Sequence, residues 1–236
     1  LTFIGNLLNK MDKIKQAIQA IKQSDALLIG ASNGLSIAEG YHIFADNEMF
    51  HIQFGDFQQM YGIRNVIEGC FYQYPNEAMR EKFLKRLVQY WVKDYKPSKV
   101  MKDLLSIVDN KDYFILTSNA DTHLELSGFA SDNVFELEGT FEDMLLKRPI
   151  QNKNKETNAF LNKYHNKRIV ILELGIGSRN RLIKMPLMQL AAQEPQATYI
   201  TLNLPHEIYI PEEIMHKSIG LEGDIAQTLH KLAVLK

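Results

Sequence analysis

Short, wholly apolar runs recur along the chain and predict the strands of a sheet. The first run ends at Gly30, and helix-like stretches separate most of the later ones. Runs without polar alternation are typical of parallel strands that are buried on both faces. We therefore predict five parallel strands, at Ala26 to Ile29, Tyr113 to Thr117, Val134 to Leu137, Arg168 to Leu174 and Ala197 to Leu202.

Amphipathic patterns between these runs predict helices. Residues Leu7 to Ile21 carry apolar side chains at the spacing i, i+3, i+4, i+7 of one helical face, namely Ile14, Ala17, Ile18 and Ile21. Asn76 to Asp94 carries a similar stripe after Pro75, and Asp224 is placed to cap the last helix. Strands that alternate with helices indicate an α/β fold, in which helices cover both sides of a Rossmann-like, doubly wound parallel sheet.

Two stretches depart from this rhythm. Tyr41 to Tyr74 is rich in aromatic residues, Gly and Gln without a clean period, and Gln151 to Asn158 is strongly polar. We predict a small helical lid insert at residues 41–75 and an exposed, reduced insert at residues 141–167. Both would belong to a single domain that covers residues 1–236.

Composition and charge narrow the classes of partner. Of the 236 residues, 45% are hydrophobic and 23% charged, and the formal net charge is −1. Such a charge creates no strong field for nucleic acid or an anionic membrane, so we expect neither as a partner. No apolar run approaches the roughly 20 residues that cross a bilayer. Because Lys10, Lys13 and Lys15 interrupt any signal-peptide pattern, a cytoplasmic location is expected.

Small and polar residues follow all five predicted strands. The carboxyl ends of parallel strands meet at one edge of a sheet, where helix N-termini and turn amides converge. We therefore expect these segments to line one crevice, with the backbone donors and short polar side chains that a pyrophosphate and two riboses require. The segments are Gly30 to Ser36, Thr117 to Asp121, Glu138 to Thr140, Gly175 to Arg179 and Asn203.

The loop after the first strand carries the sharpest signal. Gly30 and Gly34 allow the backbone to approach a phosphate closely, and Ser36 can donate from the following turn. The loop is neither the G-x-G-x-x-G fingerprint nor a P-loop, since no Gly-Lys-Ser/Thr follows. Taken alone, it could equally be a plain strand-to-loop turn.

The same segments resemble, in order, the motifs of the sirtuin family. Gly34 to Gly40 resembles the opening loop that grips NAD, and Thr117 to Asp121 resembles the Thr-Gln-Asn-Ile-Asp motif. Val134 to Gly139 resembles the stretch that carries the family's catalytic histidine. Later matches are Gly175 to Ser178 with the Gly-Thr-Ser region, Leu202-Asn203 with the pair at the adenosine ribose, and Gly223 to Ile225 with the step at the adenine.

Several positions depart from the family pattern. Ser32 and Asn33 replace Gly-Ala, Ser118 replaces Gln, and Glu138 stands where the histidine is usual. The four zinc cysteines are missing, since Cys70 is the single cysteine, so we expect neither a zinc ribbon nor another metal site. The chain is similar to the bacterial macrodomain-linked (class M) sirtuins, which also lack the histidine. That similarity implies ADP-ribosyl transfer from NAD to a protein, such as a lipoyl-carrying protein.

The chemistry expected of this family explains the choice of candidate residues. Cleavage of the bond between nicotinamide and ribose builds positive charge on the ribose, which nearby negative or dipolar groups stabilise. Asn119 and Asp121 could orient the ribose and the carboxamide. Glu138 could act as a base only if burial raises its pKa, and otherwise it would stabilise the cationic ribose or be an exposed turn carboxylate. Glu173 lies inside an apolar strand and must be paired or protonated.

The resemblance and the residues together predict an NAD-dependent protein ADP-ribosyltransferase of sirtuin type. A catalytically silent module that binds NAD or ADP-ribose, an NAD glycohydrolase and an NAD-dependent protein deacylase stay open as alternatives. The expected catalytic residues are Asn119, Asp121 and Glu138. The expected NAD-binding residues are Gly30, Ala31, Ser32, Asn33, Gly34, Ser36, Thr117, Ser118, Gly175, Gly177, Ser178, Asn203 and Ile225.

Overall fold

A six-stranded sheet forms the centre of the computed structural model, which describes residues 2–236, with side chains from residue 5 onward. The strands lie in the order β3-β2-β1-β4-β5-β6, and every neighbouring pair is parallel. This is the order of the doubly wound Rossmann fold, so the predicted fold class is confirmed. The strands are β1 (Ala26–Ala31), β2 (Asp112–Thr117), β3 (Val134–Glu136), β4 (Ile169–Leu174), β5 (Thr198–Asn203) and β6 (Ser218–Glu222).

The sequence pattern predicts five of these strands to within two residues at each end and misses β6. The β6 sequence, Ser-Ile-Gly-Leu-Glu, has a glycine at its centre and polar residues at both ends. Glycine weakens a strand signal because it has no side chain to pack. β6 is also an edge strand that pairs only with β5, so it needs no long apolar run.

Helices connect the strands and cover both faces of the sheet. The helix predicted over Asn76 to Asp94 is α-helical only as far as Val88 and continues as a π-helical turn at Gln89–Lys93. Within residues 2–236, no helix is both long enough and apolar enough to cross a membrane. The helices are α1 (Thr2–Gln23), α2 (Asn33–Ala38), α3 (Glu48–Tyr61), α4 (Val66–Phe71), α5 (Glu77–Val88), α6 (Lys99–Val108), α7 (His123–Leu126), α8 (Phe141–Leu146), α9 (Asn154–Tyr164), α10 (Lys184–Gln193), α11 (Glu212–Met215) and α12 (Ile225–Leu235).

The two faces of the sheet bury separate apolar clusters. On one face, Leu27 and Ile29 of β1 pack with residues of α1, α6 and α12. On the other face, Ala26 and Leu28 pack with residues of α9, α10 and α11. Alternate residues of one strand point to opposite faces, so a strand covered on both sides must be apolar throughout. This explains the unbroken apolar runs in the sequence.

A third cluster, rich in aromatic residues, lies in a helical layer apart from the sheet clusters. It joins α3, α4, α5, the π-helical turn and α8, with Phe54, Phe57, Phe83 and Trp91 as its largest buried side chains. Residues 41–75 contribute α3 and α4 to this layer. Residues 141–167 contribute α8 to it, whereas their second helix, α9, places Tyr164 in the cluster under the sheet. The division of the chain into one domain and two inserts stays a prediction.

Candidate functional site

A pocket of about 190 Å³ opens beyond the carboxyl ends of β1, β2 and β3. One wall consists of polar residues from the loops after these strands, and the other consists of apolar residues from the helical layer. Six of the predicted site residues line it, namely Asn33, Ser36, Ser118, Asn119, Asp121 and Glu138. The apolar lining residues are Ile43, Phe44, Ile67, Cys70, Phe71, Ala120, Phe141 and Met144.

Asn119, which lines this pocket, carries an unpaired acceptor. Its backbone N–H donates to Thr117 Oγ1 at 3.0 Å, and its side-chain Nδ2 donates to the carbonyl of Ser32 at 3.1 Å. These bonds fix the orientation of the amide, because the Ser32 carbonyl can only accept. The Oδ1 atom is buried and has no hydrogen-bond partner in the protein, although only 6% of the residue is exposed. A buried acceptor of this kind requires a donor from a ligand or from water.

Asp121 and Ser36 form a second polar pair in the same wall. Ser36 Oγ donates to Asp121 Oδ2 at 2.5 Å, and the backbone N–H of His123 donates to Oδ1 at 3.1 Å. Ser36 and Asp121 are both buried. The hydroxyls of Ser32 and Ser118 lie 2.9 Å apart and join the loops after β1 and β2. The predicted catalytic pair Asn119 and Asp121 therefore lies in a firmly held polar wall.

Glu138 lies at the rim of the pocket and is exposed to solvent. The burial that a base at this position would need is absent. The exposure of Glu138 is compatible with the other two predictions, stabilisation of a cationic ribose and an exposed turn carboxylate. Cys70 is buried in α4, and burial raises the pKa of its thiol to about 12. Cys70 is thus a neutral, unreactive thiol rather than a nucleophile.

The loops after β1 and β4 touch through the backbones of Gly34 and Gly175. The Gly34 N–H donates to the Gly175 carbonyl at 3.0 Å. A Cβ on Gly34 would lie 2.5 Å from Gly175 Cα, and Gly175 itself has a positive φ of 60°. Ile225, the first residue of α12, packs against the same contact, with its Cδ1 2.8 Å from a Cβ built on Gly175. These residues meet at the switch point of the sheet, where doubly wound folds bind dinucleotides.

The loop after β4 carries exposed backbone donors. Gly177 and Ser178 are exposed, and the Ser178 N–H donates to Glu207 Oε2 at 2.7 Å. This hydrogen bond lowers the pKa of Glu207. The Glu207 carboxylate therefore already accepts the backbone N–H of Ser178, a residue that the sequence assigns to NAD binding.

A buried ion pair supports this loop from below. Lys184 Nζ lies 2.8 Å from Glu173 Oε1, and both side chains are fully buried. Tyr199 donates its hydroxyl to the second oxygen of Glu173. Burial, followed by the charge of Glu173, raises the pKa of Tyr199 far above its usual value. Glu173 is thus paired, as an apolar strand requires.

Lys184 also donates to the Ile176 carbonyl at 3.2 Å, and Asn203 Nδ2 donates to the same carbonyl at 2.9 Å. Asn203 Oδ1 accepts the Leu204 N–H at 3.0 Å. The side-chain amide of Asn203 therefore already makes hydrogen bonds to the backbone of the loops after β4 and β5. A ribose contact from it would have to use its remaining N–H or oxygen lone pair.

Gly30 is required for the packing of a helix, whether or not its backbone approaches a phosphate as predicted. A Cβ on Gly30 would lie 2.3 Å from Leu187 Cδ1, so the missing side chain lets α10 pack against β1. Ala31 and Thr117 are the buried last residues of β1 and β2, and they position the loops that follow. The pocket contains none of the predicted residues from the loops after β4 and β5, namely Gly175, Gly177, Ser178 and Asn203, and the Gly34–Gly175 contact links those loops to it.

The apolar half of the pocket was not predicted. Phe44 and Phe71 are exposed by 50% and 71% and stand at its mouth. Exposed aromatic residues beside a polar pocket could be suspected from the aperiodic stretch 41–74, but the sequence does not show which of its aromatics are buried. No group of three metal-binding side chains occurs among the residues that the structure describes.

Comparison with known proteins agrees with this geometry. No protein-family model matches the chain. A "Protein ADP-ribosyltransferase" of Staphylococcus aureus (strain Mu50 / ATCC 700699) is 24% identical, over 91% of this chain and 86% of that protein.

Solved structures of Sir2 enzymes share the fold. A Sir2 homologue in complex with NAD superposes with a TM-score of 0.59 at 13% identity, covering 94% of this chain and 93% of that one. A Sir2 enzyme bound to a propionylated peptide gives a TM-score of 0.60 at 13% identity, covering 94% and 98%. A triple variant of a Sir2 homologue with 2′-O-acetyl ADP-ribose gives 0.57 at 14% identity, covering 93% and 95%. The chain is therefore a sirtuin-like protein with the fold of the Sir2 enzymes.

Proposed function

We propose that this chain is an NAD-dependent protein ADP-ribosyltransferase. The observation that carries the proposal is the unpaired, buried Oδ1 of Asn119, a residue that lines the pocket together with Asp121. A ribose hydroxyl or a carboxamide N–H of NAD would supply the donor that this oxygen lacks. The relative from Staphylococcus aureus, which bears the name of this activity, supports the same assignment.

NAD supplies the ADP-ribosyl group, which becomes available for transfer when the bond between nicotinamide and ribose breaks and positive charge develops on the ribose. Asp121 contributes a fixed negative charge beside that position, oriented by Ser36 and by the His123 N–H. Asn119 orients the ribose or the carboxamide of NAD through its Oδ1. Glu138 adds a second carboxylate at the rim. Groups held in place before the reaction stabilise a developing charge without reorganisation.

The pyrophosphate and the adenosine end are proposed to run across the Gly34–Gly175 contact toward the loops after β4 and β5. Two glycine backbones in contact leave no side chain above them, which permits the close approach that a pyrophosphate needs. Ser178 would offer its backbone N–H if Glu207 turned away, or Glu207 would accept ribose hydroxyls. Gly177 and Asn203 complete this half of the proposed site.

The acceptor is proposed to be a protein, and within that class a lipoyl-carrying protein. Phe44 and Phe71 form an apolar, exposed entrance to the pocket. Such an entrance suits an apolar arm that carries its reactive end to the ribose, and it would exclude water once the arm is bound. Transfer to a side chain of the carrier rather than to its arm would use the same entrance.

The proposal is tested by incubation with NAD labelled in its adenylate half, together with a bacterial extract. We expect label to appear on a protein band, more strongly when purified lipoylated carrier is added than when the unlipoylated carrier is added. Asn119→Ala should abolish labelling. Asn158→Ala is the matched control, because Asn158 is exposed on α9 and far from the described contacts of the pocket. Free nicotinamide without any labelled protein would identify water as the acceptor and contradict the proposal.

A further inference from the structure

A buried chain of hydrogen bonds lies behind the polar wall of the pocket. Ser36 donates to Asp121, and both residues line the pocket. Asp121 accepts the backbone N–H of His123, whose imidazole contacts Glu39, and neither His123 nor Glu39 lines the pocket. We propose that His123, paired with Glu39, is a positioning residue that keeps the Asp121 carboxylate charged and oriented for the reaction. This inference rests on the proposed function, since it assigns Asp121 a charge that the transfer reaction uses.

Both ring nitrogens of His123 face acceptors. Nε2 lies 2.8 Å from the carbonyl oxygen of Trp91, in the π-helical turn, and Nδ1 lies 3.0 Å from Glu39 Oε2. Nδ1 is also 3.7 Å from Asp121 Oδ2. A carbonyl and a carboxylate cannot donate, so only the doubly protonated ring satisfies both contacts. A neutral ring would point a nitrogen lone pair at an oxygen in a site without solvent.

Glu39 is the counter-ion of the His123 ring, and two hydroxyl groups hold its carboxylate in place. Its Oε1 accepts hydrogen bonds from the hydroxyls of Tyr95 at 2.6 Å and Ser98 at 2.5 Å. The Glu39 and His123 side chains are both fully buried. The ring of Tyr95 stacks on the imidazole, with centroids 3.7 Å apart and an interplanar angle of 12°. The Glu39 carboxylate, the ring face of Tyr95 and the Trp91 carbonyl therefore all contact the imidazolium.

Charge balance connects this pair to the pocket. Oxygens of two carboxylates, Glu39 Oε2 and Asp121 Oδ2, lie 3.0 and 3.7 Å from the same ring nitrogen of His123, Nδ1. Burial by itself lowers the pKa of His123, but the hydrogen bond to Glu39 and the charges of Asp121 and Glu39 outweigh it and raise the pKa above its usual value. Without the cation, the two neighbouring carboxylates would repel each other, and this repulsion favours protonation of the pair. Protonation of Asp121 would remove the charge that faces the ribose.

Few titratable groups other than His123 lie close enough to the ring to cause a pH dependence in the pocket. The titratable groups that pack against the ring are Glu39, Asp121, Tyr95 and Tyr41, whose ring meets the imidazole edge-on at 4.5 Å. Burial is the main cause that raises the pKa of both tyrosines. Neither tyrosine therefore titrates near neutral pH. Deprotonation of His123 as the pH rises is the transition that should affect the pocket.

The test combines a spectroscopic and a kinetic measurement on the whole chain. In 15N-histidine NMR, His123 should show both ring nitrogens protonated at pH 7. The single-turnover rate of nicotinamide release should fall as the pH rises, with the same apparent pKa as the NMR titration of His123. Glu39→Gln should move both transitions to lower pH together. At pH 7 it should lower the release rate by about tenfold to a hundredfold, with a smaller effect on KM for NAD.

His230→Gln is the matched control. His230 is a half-exposed histidine that contacts Asp103 at 3.2 Å on the surface, and its loss should leave the pH profile of nicotinamide release unchanged. A neutral His123 at pH 7 overturns the inference, and this result needs no variant to fold. A release rate whose pH dependence does not follow the titration of His123 also overturns it. Failure of the wild-type chain to release nicotinamide would instead refute the proposed function, which separates the two claims.

Discussion

Gly34 and Gly175 contact each other through their backbones at the point where the sheet changes its direction of winding. The Gly34 N–H donates to the Gly175 carbonyl at 3.0 Å, and no side chain separates the loops after β1 and β4. These two strands are neighbours in space although they are far apart in sequence. The contact therefore joins the nicotinamide half and the adenosine half of the proposed NAD site.

A methyl group at Gly34 should disrupt this contact. The added Cβ would lie 2.5 Å from Gly175 Cα, which the backbone can relieve only by moving one loop. We expect Gly34→Ala to lower the free energy of unfolding by about 1–3 kcal/mol and to weaken NAD binding. Chemical denaturation and calorimetric titration with NAD measure the two effects.

Gly55→Ala provides the control for that substitution. No atom lies within 4 Å of a Cβ built on Gly55 in α3, so its free energy of unfolding should change by at most about 1 kcal/mol. NAD affinity should stay at the wild-type value. Equal NAD affinity in both glycine variants would show that the Gly34–Gly175 contact is not part of the binding site.

The buried pair of Glu173 and Lys184 should be costly to break from one side. Lys184→Met removes the cation that faces Glu173 and one of the two donors to the Ile176 carbonyl. We expect it to lower the free energy of unfolding by about 3–5 kcal/mol, because it leaves a buried carboxylate without its counter-ion. The double variant Glu173→Gln/Lys184→Met should recover part of that loss, which a double-mutant cycle in urea would measure.

The exposed ion pair of Lys163 and Asp112 provides the control for the buried pair. Lys163 and Asp112 contact each other at 2.5 Å, but their side chains are 60% and 53% exposed. Lys163→Met should therefore change the free energy of unfolding far less than Lys184→Met. A loss in Lys184→Met as small as that in Lys163→Met would contradict the structural role given to the buried pair.

The pair of Glu125 and Glu136 should make stability depend on pH. Burial, together with the hydrogen bond and the charge of Glu136, raises the pKa of Glu125 to about 8. A folded-state pKa above the unfolded one means that the folded chain binds the proton more tightly. The contribution of Glu125 to the free energy of unfolding is complete at pH values below its unfolded pKa of about 4.5. It is lost as the pH rises through about 8, the folded pKa.

Glu125→Gln mimics the protonated form and should flatten this dependence. Denaturation at pH 5, 7 and 9 should show the wild-type chain losing stability relative to the variant as the pH rises. Glu156→Gln, at an exposed position on α9, controls for the change in net charge. Parallel pH profiles of the wild-type chain and Glu125→Gln would refute the raised pKa of Glu125.

The sheet and the location of the polar loops could be predicted from the sequence because both follow from local patterns. An unbroken apolar run identifies a strand covered on both faces, and parallel strands bring their carboxyl ends to one edge. Loops that lie far apart in sequence, such as those holding Ser32 and Asn119, could therefore be assigned to one crevice. Their contact at 3.1 Å agrees with that assignment.

Other features depend on tertiary contacts that no local pattern encodes. Gly30 suggests a phosphate loop from its sequence, but the side chain of Leu187 occupies the space beside it. His123 shows no spacing that marks it, because its partners Glu39 and Trp91 come from distant segments. The apolar entrance has the same origin, since Phe44 and Phe71 differ from the buried aromatics of the lid only in how the helices pack.

The most direct test of the account compares two amounts from one reaction: nicotinamide released and ADP-ribose bound to protein. In a bacterial extract supplied with NAD and this chain, we expect the two amounts to be equal, and we expect both to vanish with Asn119→Ala. Release of nicotinamide with no protein-bound ADP-ribose would contradict transfer to a protein. Equal amounts that persist in Asn119→Ala would contradict the site.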